Sequence, residues 1–205
     1  ATLLPTAKFG GFDQRLNLAD MPFLAETEED FMAIMNGEIG REAMSGLEAI
    51  GIKGMAYFPE GYKYITNSKH TITCPDDLKG LKIRTMEAPI IMSMFKAWGA
   101  NPVPIDFSEV YNSLQQGVVD GQENPLLSIH DMRFYEVQDY MTIDTHAYLS
   151  YCLSFSKAWF DSLPADLQEI VTNASMDAAD YCHELMVEAN TAYLKTIEDS
   201  GTEIY

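Results

Sequence analysis

Apolar positions follow two different periods along the chain. Short apolar runs at residues 53–58, 81–83 and 148–155 are typical of strands, whereas residues 28–35 and 89–98 carry an apolar side chain every three or four positions, as helices do. For residues 148–155 a buried strand is favoured and a helix is the alternative. Because the two kinds of segment alternate without a repeat or a low-complexity linker, the pattern predicts an α/β fold.

The longest periodic segment lies near the end of the chain. From Pro164 to Ser200 apolar residues recur with the 3.6-residue period of a helix, and Gly201 follows as a stop. At 1.5 Å per residue this helix would be about 55 Å long, whereas a domain of roughly 100 residues has a radius of gyration of about 13 Å. We expect the helix to bridge two lobes or to kink. A coiled coil is the least favoured alternative, because few charged pairs flank the apolar stripe.

Glycine and proline positions predict where several other elements end. Gly37 and Gly51 are expected to take the left-handed conformation after helices at residues 28–35 and 40–50. The two prolines within a strand at residues 101–105 confine it to a sheet edge or a strand end.

The segment after residue 105 is expected to form a helix, a brief strand and a loop. Ser108 suits the N-cap of a helix that runs to Gln116. Val118 and Val119 predict a short strand, and the polar residues of Gly121–Pro125 predict a loop.

The charge balance excludes two classes of partner. The chain has 205 residues, with 13 Lys and Arg against 31 Asp and Glu, and its formal net charge is −18. This field repels nucleic acid and anionic lipid. An anionic ligand would therefore have to be held by a few local cations in a defined geometry.

The sequence contains no recognisable pattern for metal binding or nucleophilic catalysis. Cys74, Cys152 and Cys182 form no pair at metal-ligand spacing, and the four histidines show no His-x-x-x-His spacing. No phosphate-binding glycine loop and no nucleophile elbow occurs. We therefore expect no cofactor, and an enzymatic function is disfavoured.

Arg84 is the candidate anion-binding residue. It follows the strand predicted at residues 81–83, at the carboxyl end, where open α/β sheets place their ligands. A guanidinium can hold a carboxylate through two parallel hydrogen bonds and does not lose its charge. A surface arginine paired with Glu87 or Asp77 is the alternative that the spacing leaves open.

Other candidate contacts lie elsewhere in the chain. Pro125 favours an extended Asn124 and a helix start, so the amide would be presented where free N–H groups favour an anion. Simple capping of that helix is the alternative. Lys63, between two tyrosines, and Phe107 are candidates for the wall of a pocket, although core packing is the favoured alternative for Phe107.

Four consecutive blocks of the sequence match a known family pattern in the right order. They are Asp77–Arg84, Gly99–Pro104, Phe107–Tyr111 and Val118–Pro125. With these blocks the chain resembles the DctP family of tripartite ATP-independent periplasmic (TRAP) solute-binding proteins. The resemblance extends to nearly all of the chain through Met21–Leu24, Phe134–Gln138, His146 and Leu163–Gln168.

The resemblance implies a two-lobed α/β fold of the periplasmic-binding-protein type, in which a long helix bridges lobes that close over a ligand. We expect lobe I to comprise residues 1–60 and 150–189. We expect lobe II, with the carboxylate-binding arginine, to comprise residues 61–149 and 190–205. The family pattern also has strands before the first residue and elements after the last, so we expect this chain to belong to a longer protein or to bind poorly by itself.

The resemblance also assigns roles to individual residues. Family members grip the ligand carboxylate with an arginine at the position of Arg84, support it with an asparagine at Asn124 and wall the site with an aromatic residue at Phe107. Many members have an arginine where this chain has Lys63, so a second carboxylate contact keeps its charge here and loses its bidentate geometry.

Three further residues complete the predicted ligand-binding set. Glu87 stands where sialic-acid binders have an asparagine, which argues against that substrate and favours a hydroxyl-rich ligand. His146 and Tyr148 are included in the same set.

The function that the resemblance implies is capture of a small organic acid in the periplasm and its delivery to TRAP membrane permease subunits, by a monomer. A sugar acid such as a uronate is the first choice of ligand and a C4-dicarboxylate the second. Two alternatives remain open: an enzyme with Glu123 or His146 as general base, and a ligand-sensing partner of a signalling receptor.

Overall fold

The computed structural model describes residues 1–205, in which strands and α-helices alternate. The strands are β1 (Thr2–Pro5), β2 (Ile52–Tyr62), β3 (Tyr64–Asn67), β4 (Lys82–Thr85), β5 (Asn101–Pro104), β6 (Gly121–Asn124), β7 (Tyr140–Thr142), β8 (Tyr148–Ser156) and β9 (Glu203–Ile204). The helices are α1 (Glu28–Asn36), α2 (Glu38–Ser45), α3 (Pro89–Ala97), α4 (Val110–Gln115), α5 (Leu126–Asp131), α6 (Lys157–Asp161) and α7 (Ala165–Asp199). This mixture confirms the predicted α/β class, and β8 confirms the strand expected at residues 148–155.

The chain divides into two compact units. Unit 1 comprises Ala1–Gly61 and Leu149–Val187, and unit 2 comprises Tyr62–Tyr148 and Glu188–Tyr205. Unit 1 contains a three-stranded sheet in the order β1-β8-β2, with β1 antiparallel to β8. Its fully buried side chains include Leu16, Phe31, Met35, Leu47 and Tyr57.

Helix α7 is a single uninterrupted helix of 35 residues. Its apolar period predicts this length, which corresponds to about 52 Å at 1.5 Å per residue. The boundary between the units falls inside the helix, after Val187. None of the helices combines the length and the apolar character that a membrane crossing requires.

Unit 2 is organised around a six-stranded sheet in the order β5-β4-β6-β3-β7-β9. Strand β4 is parallel to β5 and β6, and β3 is antiparallel to β6 and β7. Strand β5 lies at the edge of this sheet, as its two prolines predict, since a proline cannot donate to a neighbouring strand.

The two faces of this sheet carry different side chains. Arg84 is paired with Gln122, Gln122 with Thr66, and Thr66 with Met141, so these four side chains share one face, which we call the arginine face. Glu123 lies between the alternate residues of β6 and is paired with Ile65, so both point to the opposite face, which we call the glutamate face.

The hydrophobic core of unit 2 includes Met141 of the arginine face. It brings together residues of α4, α5, the 3-10 turn Phe134–Glu136 and the last turns of α7, namely Val110, Leu114, Leu126, Ile129, Phe134 and Ile197. These buried side chains remove the surroundings of the sheet from water and so place its polar residues in a medium where unpaired charges are unfavourable.

Two of the predicted helix ends differ from the structure. Gly51 has φ +79°, as predicted, but it follows a short 3-10 helix that continues from α2 rather than one long helix. Gly37 has φ −77° and is not left-handed. The reason is that α2 begins directly after Gly37, which therefore serves as the N-cap of the next helix.

The predicted N-cap at Ser108 is also wrong. A 3-10 turn, Phe107–Glu109, precedes α4, and this turn begins after Asp106. Helix α4 has no side-chain hydrogen bond at its cap. The turn supplies the first helical residues, so a serine cap at position 108 is not needed.

The strand expected at Val118 and Val119 and the loop expected at Gly121–Pro125 are wrong as well. Residues 118 and 119 form a bend, and β6 is built from the polar segment Gly121–Asn124, all of which is buried. A polar strand is stable inside a sheet when neighbouring strands provide partners for its side chains, and the contacts described below show that they do.

Gly121 allows β6 to approach β3 closely. A Cβ atom at this position would lie 2.2 Å from the backbone oxygen of Thr66. We expect Gly121→Ala to destabilise unit 2 by more than ~2 kcal/mol, because rigid backbone would have to move. Urea unfolding measures the effect. Gly11→Ala is the control, since nothing lies within 4 Å of its added Cβ. Equal stability of the two variants would contradict this view of the β3–β6 contact.

Candidate functional site

Arg84 lies inside β4, within the sheet of unit 2. The expectation that it follows the strand is wrong by two residues, because β4 runs from Lys82 to Thr85. As a result the side chain is only 2% exposed. The alternative of a surface arginine paired with Glu87 or Asp77 is also wrong, since Asp77 accepts hydrogen bonds from Thr73 and Glu87 is exposed without such a pair.

The guanidinium of Arg84 has few partners in the protein. Its Nε donates to the carbonyl oxygen of Ile105 at 2.9 Å, and its Cζ lies 5.8 Å from the centre of the Phe107 ring. No carboxylate lies within ion-pair distance, and Nη1 and Nη2 donate no hydrogen bond to a protein acceptor. Burial lowers the pKa of Arg84, and the more distant carboxylates of Glu123 and Asp106 act in the opposite direction. A buried cation that lacks a counter-ion favours an anion from outside the protein.

Phe107 forms the boundary of this arginine toward solvent. It opens the 3-10 turn before α4, and its side chain is 41% exposed. Its ring packs edge-on against the buried Phe134, with 6.1 Å between the centroids. Phe107 is therefore attached to the core through Phe134 but is not itself a core residue, contrary to the favoured alternative.

Asn124 lies on the same face of the sheet as Arg84. It is the last residue of β6, two positions after Gln122, and Gln122 is paired with Arg84. Its amide nitrogen donates to the Gln122 side-chain oxygen. The alternative that Asn124 only caps α5 is wrong, because Pro125 is the N-cap and no side-chain hydrogen bond is made there.

Four charged side chains, of which all but the partly exposed Asp144 are buried, form a cluster that begins on the glutamate face. Lys63 Nζ lies 2.9 Å from Glu123 Oε2, His146 Nε2 lies 3.5 Å from the same oxygen, and His146 Nδ1 lies 2.8 Å from Asp144 Oδ2. Positive and negative groups thus alternate along the series. Lys63 and Glu123 are each 1% exposed, and His146 is fully buried.

The alternation of charges sets the ionisation of the cluster. Burial by itself would raise the pKa of Glu123, but Lys63 and His146 hold this pKa below its ordinary value. Burial would likewise lower the pKa of His146, but Asp144 and Glu123 raise it to about 9. The imidazole is therefore protonated at neutral pH, and it packs edge-on against Phe95 and Trp98 near the end of α3.

The predicted site residues are therefore distributed over several places in unit 2. Arg84, Asn124 and Phe107 are grouped around the arginine face, whereas Lys63 and His146 are engaged with Glu123 on the other side of β6. Of the two remaining members, Glu87 is exposed between β4 and α3, and Tyr148 packs edge-on against Tyr62, with 5.1 Å between the ring centroids.

Sequence reasoning did not find the partners of these residues. Gln122, Thr66 and Gln138 form hydrogen bonds next to Asn124, and Asp144 completes the charged cluster. The alternation of Gln122, Glu123 and Asn124 was the available signal, because two amides flanking a carboxylate have the period of a strand with two different faces.

The fold agrees with comparisons to known proteins. The family model described as "Bacterial extracellular solute-binding protein, family 7" (DctP) matches residues 1–205, and the chain belongs to this family. The 2,3-diketo-L-gulonate-binding periplasmic protein YiaO of Escherichia coli is 34% identical over 96% of this chain and 60% of its own length. The C4-dicarboxylate-binding periplasmic protein DctP of Rhodobacter capsulatus is 36% identical over 96% of this chain and 59% of its own length.

A solved structure shows the same fold. The TRAP periplasmic solute-binding protein from Sulfitobacter sp. NAS-14.1, with bound beta-D-galacturonate, has a TM-score of 0.94 and 32% identity, and it covers 98% of this chain and 67% of that protein. The family and these neighbours are solute-binding proteins of transport systems rather than enzymes. The chain spans about 60% of the length of the two curated relatives.

The raised pKa of His146 gives unit 2 a pH-dependent stability. The folded chain holds a proton up to about pH 9 that the unfolded chain releases near 6.5. The contribution of His146 to the free energy of unfolding is therefore fully present below pH 6.5. It falls by up to roughly 3 kcal/mol as the pH rises from 6.5 to about 9. Urea unfolding followed by the fluorescence of Trp98, in a Trp159→Phe background, measures this slope, because the chain has two tryptophans.

A matched pair of histidine variants tests the assignment. His146→Gln is expected to remove the slope between pH 6.5 and 9, whereas His70→Gln, at an exposed position, is expected to keep it. An unchanged slope in His146→Gln would show that another group causes it.

Proposed function

We propose that this chain is the ligand-binding part of a TRAP solute-binding protein, and that it holds the carboxylate of a small organic acid with Arg84. The single observation that carries the proposal is the buried guanidinium without a protein counter-ion. A ligand carboxylate would supply that counter-ion through two parallel hydrogen bonds to the nitrogen atoms that have no protein acceptor. Asn124 would support the carboxylate, and the exposed Phe107 ring would cover it.

The other predicted contacts have different parts in this proposal. Lys63 and His146 are buried and paired with Glu123 on the other side of β6, so we do not assign them a direct contact with a carboxylate held by Arg84. Glu87 is exposed and carries no partner that would prevent it from accepting hydrogen bonds from ligand hydroxyls. Tyr148, with Tyr62, would contribute an aromatic wall.

A sugar acid is our first choice of ligand and a C4-dicarboxylate the second. The relatives named above bind 2,3-diketo-L-gulonate, C4-dicarboxylates and beta-D-galacturonate, which all carry at least one carboxylate. An acceptor at Glu87 favours a ligand that also carries hydroxyl groups, and a dicarboxylate does not need one.

The family supports a role in transport. We propose that the two units act as the two lobes of the binding protein, with unit 2 carrying the carboxylate-binding arginine, and that the protein works in the periplasm. We propose that it delivers the acid to TRAP membrane permease subunits, and membership of this family supports that proposal.

The charged cluster does not favour the enzymatic alternative. A general base must be unprotonated and able to reach its substrate. His146 is protonated at neutral pH, and Glu123 is buried between two cations. Both groups are thus already engaged within the protein.

Replacement of Arg84 tests the proposal. Arg84→Ala is expected to weaken binding at least ~100-fold, because two charge-assisted hydrogen bonds are lost. The loss is measured by thermal shift and titration calorimetry with the whole protein that the gene encodes. The ligands are D-galacturonate, D-glucuronate, 2,3-diketo-L-gulonate, succinate and malate. A ligand at 100 times its Kd stabilises a protein by about 2.7 kcal/mol. Arg133→Ala is the control, since Arg133 is exposed and paired with Glu136.

A second variant separates a binding role from a structural one. Arg84→Met keeps much of the buried volume and removes a charge that has no counter-ion, so without ligand this variant should be at least as stable as the natural chain. A folded Arg84→Ala or Arg84→Met variant that binds the same ligand unchanged would rule out the proposed site. Failure of the natural chain to bind any member of the panel would rule out the proposed ligand class.

A further inference from the structure

A continuous series of side-chain hydrogen bonds connects Asn124 to a backbone carbonyl in unit 2. Asn124 donates to the side-chain oxygen of Gln122, and Gln122 Nε2 donates to Thr66 Oγ1 at 2.9 Å. Thr66 Oγ1 donates to Gln138 Oε1 at 3.0 Å, and Gln138 Nε2 donates to the carbonyl oxygen of Val137 at 2.8 Å. The four side chains are all buried, so water does not compete for these bonds.

The series has one consistent direction. A backbone carbonyl can only accept, so Gln138 must turn its NH2 group toward Val137 and its oxygen toward Thr66. The Thr66 hydroxyl must then donate to Gln138 and accept from Gln122. Gln122 in turn presents its oxygen to Asn124. The orientation of the Asn124 amide is thus set by a carbonyl group that is four hydrogen bonds away.

The far end of the series is held in place by the last segment of the chain. The hydroxyl of Thr202, which follows α7, donates to the backbone oxygen of Gln138 at 3.3 Å and lies 3.1 Å from the hydroxyl of Ser200. Gln138 is therefore fixed through its backbone as well as through its side chain.

The same series runs next to the proposed carboxylate site. Arg84 is the neighbour of Gln122 across the β4–β6 pair, and Gln122 and Asn124 share its face of the sheet. With one N–H directed to Gln122, Asn124 keeps one N–H donor and its side-chain oxygen for a ligand. A rotated amide would exchange these two groups and would present an oxygen where a ligand carboxylate needs a donor.

We propose that Thr66 and Gln138 are positioning residues for ligand binding, which act through Gln122 to hold the Asn124 amide in the orientation that accepts a carboxylate beside Arg84. This inference rests on the proposed function. Thr66 and Gln138 would not contact the ligand themselves, but they would determine which polar groups of Asn124 face it.

The test is Thr66→Val, which keeps the shape of the side chain and removes its hydroxyl. Kd is measured by calorimetry for D-galacturonate and succinate. We expect Kd to rise about tenfold, the effect of one hydrogen bond to an oriented amide. Thr66→Ser, which restores the hydroxyl, should return Kd to within roughly threefold of the natural value. Gln138→Met interrupts the series at another residue and replaces Thr66→Val if that variant fails to fold.

Thr142→Val is a matched control. Thr142 is a buried threonine in the same sheet, but it lies on the glutamate face and its hydroxyl donates to the carbonyl oxygen of Ile72 at 2.9 Å. This variant loses a comparable buried hydrogen bond without touching the series. It should lower the unfolding midpoint to a similar degree as Thr66→Val and leave Kd unchanged.

A double variant shows whether the effect passes through Asn124. In an Asn124→Ala background, Thr66→Val should add less than about a twofold loss of affinity, because no amide remains to be oriented. A full tenfold loss in this background, or equal losses of affinity in Thr66→Val and Thr142→Val, would overturn the inference.

The remaining outcomes distinguish this inference from the proposed function. If Arg84→Ala and Asn124→Ala weaken binding and Thr66→Val does not, the positioning role is wrong and the proposed site stands. If Asn124→Ala binds normally, the series has nothing to orient and the inference is wrong. If Arg84→Ala binds normally or the natural chain binds no acid, the proposed function itself fails.

Discussion

The arrangement of unit 2 depends on a guanidinium that is removed from water without a protein counter-ion. Isolated burial of a charge is unfavourable by several kcal/mol, of the order of ~3–5 where one partner of a buried pair is missing. Arg84 compensates only in part, through one hydrogen bond to Ile105 and one aromatic ring. A protein under selection for stability alone would have a carboxylate beside Arg84 or a neutral side chain such as methionine in its place. The uncompensated charge is the observation on which the proposed contact with a ligand carboxylate rests.

The neighbours of Arg84 preserve this imbalance. On the arginine face its cross-strand neighbours are Val103 and Gln122, and the amide of Asn124 and the hydroxyl of Thr66 follow, so no side chain there neutralises the arginine. The carboxylate of Glu123, one residue away along β6, points to the other face and is balanced by Lys63 and His146. The alternation of a strand thus keeps the nearest buried negative charge separate from the cation.

Much of the fold follows from periodicity, whereas the partners within the site do not. Helix α7 buries one face, which leaves a 3.6-residue apolar period in the local sequence. Strands β2 and β8 are largely buried along their length, which leaves apolar runs. Strand β6 left no apolar pattern, because its polar side chains are stabilised by partners on other strands. Lys63 and Glu123 are 60 positions apart, and no local spacing encodes their contact. Arg84 could be singled out from its place near a predicted strand, but its burial depends on tertiary packing.

The division of labour between the two sides of β6 also limits how such a protein can change. Inserting or deleting one residue in this strand would reverse every side chain beyond it, so an acidic group would lie on the arginine face and an amide would lie beside Lys63 and His146. Changes that affect one face of β6 and leave the other unchanged are therefore restricted to substitutions at alternating positions. Insertions and deletions have to be accommodated in the connecting loops. Any redesign of this scaffold must therefore keep the number of residues from Gly121 to Asn124 unchanged.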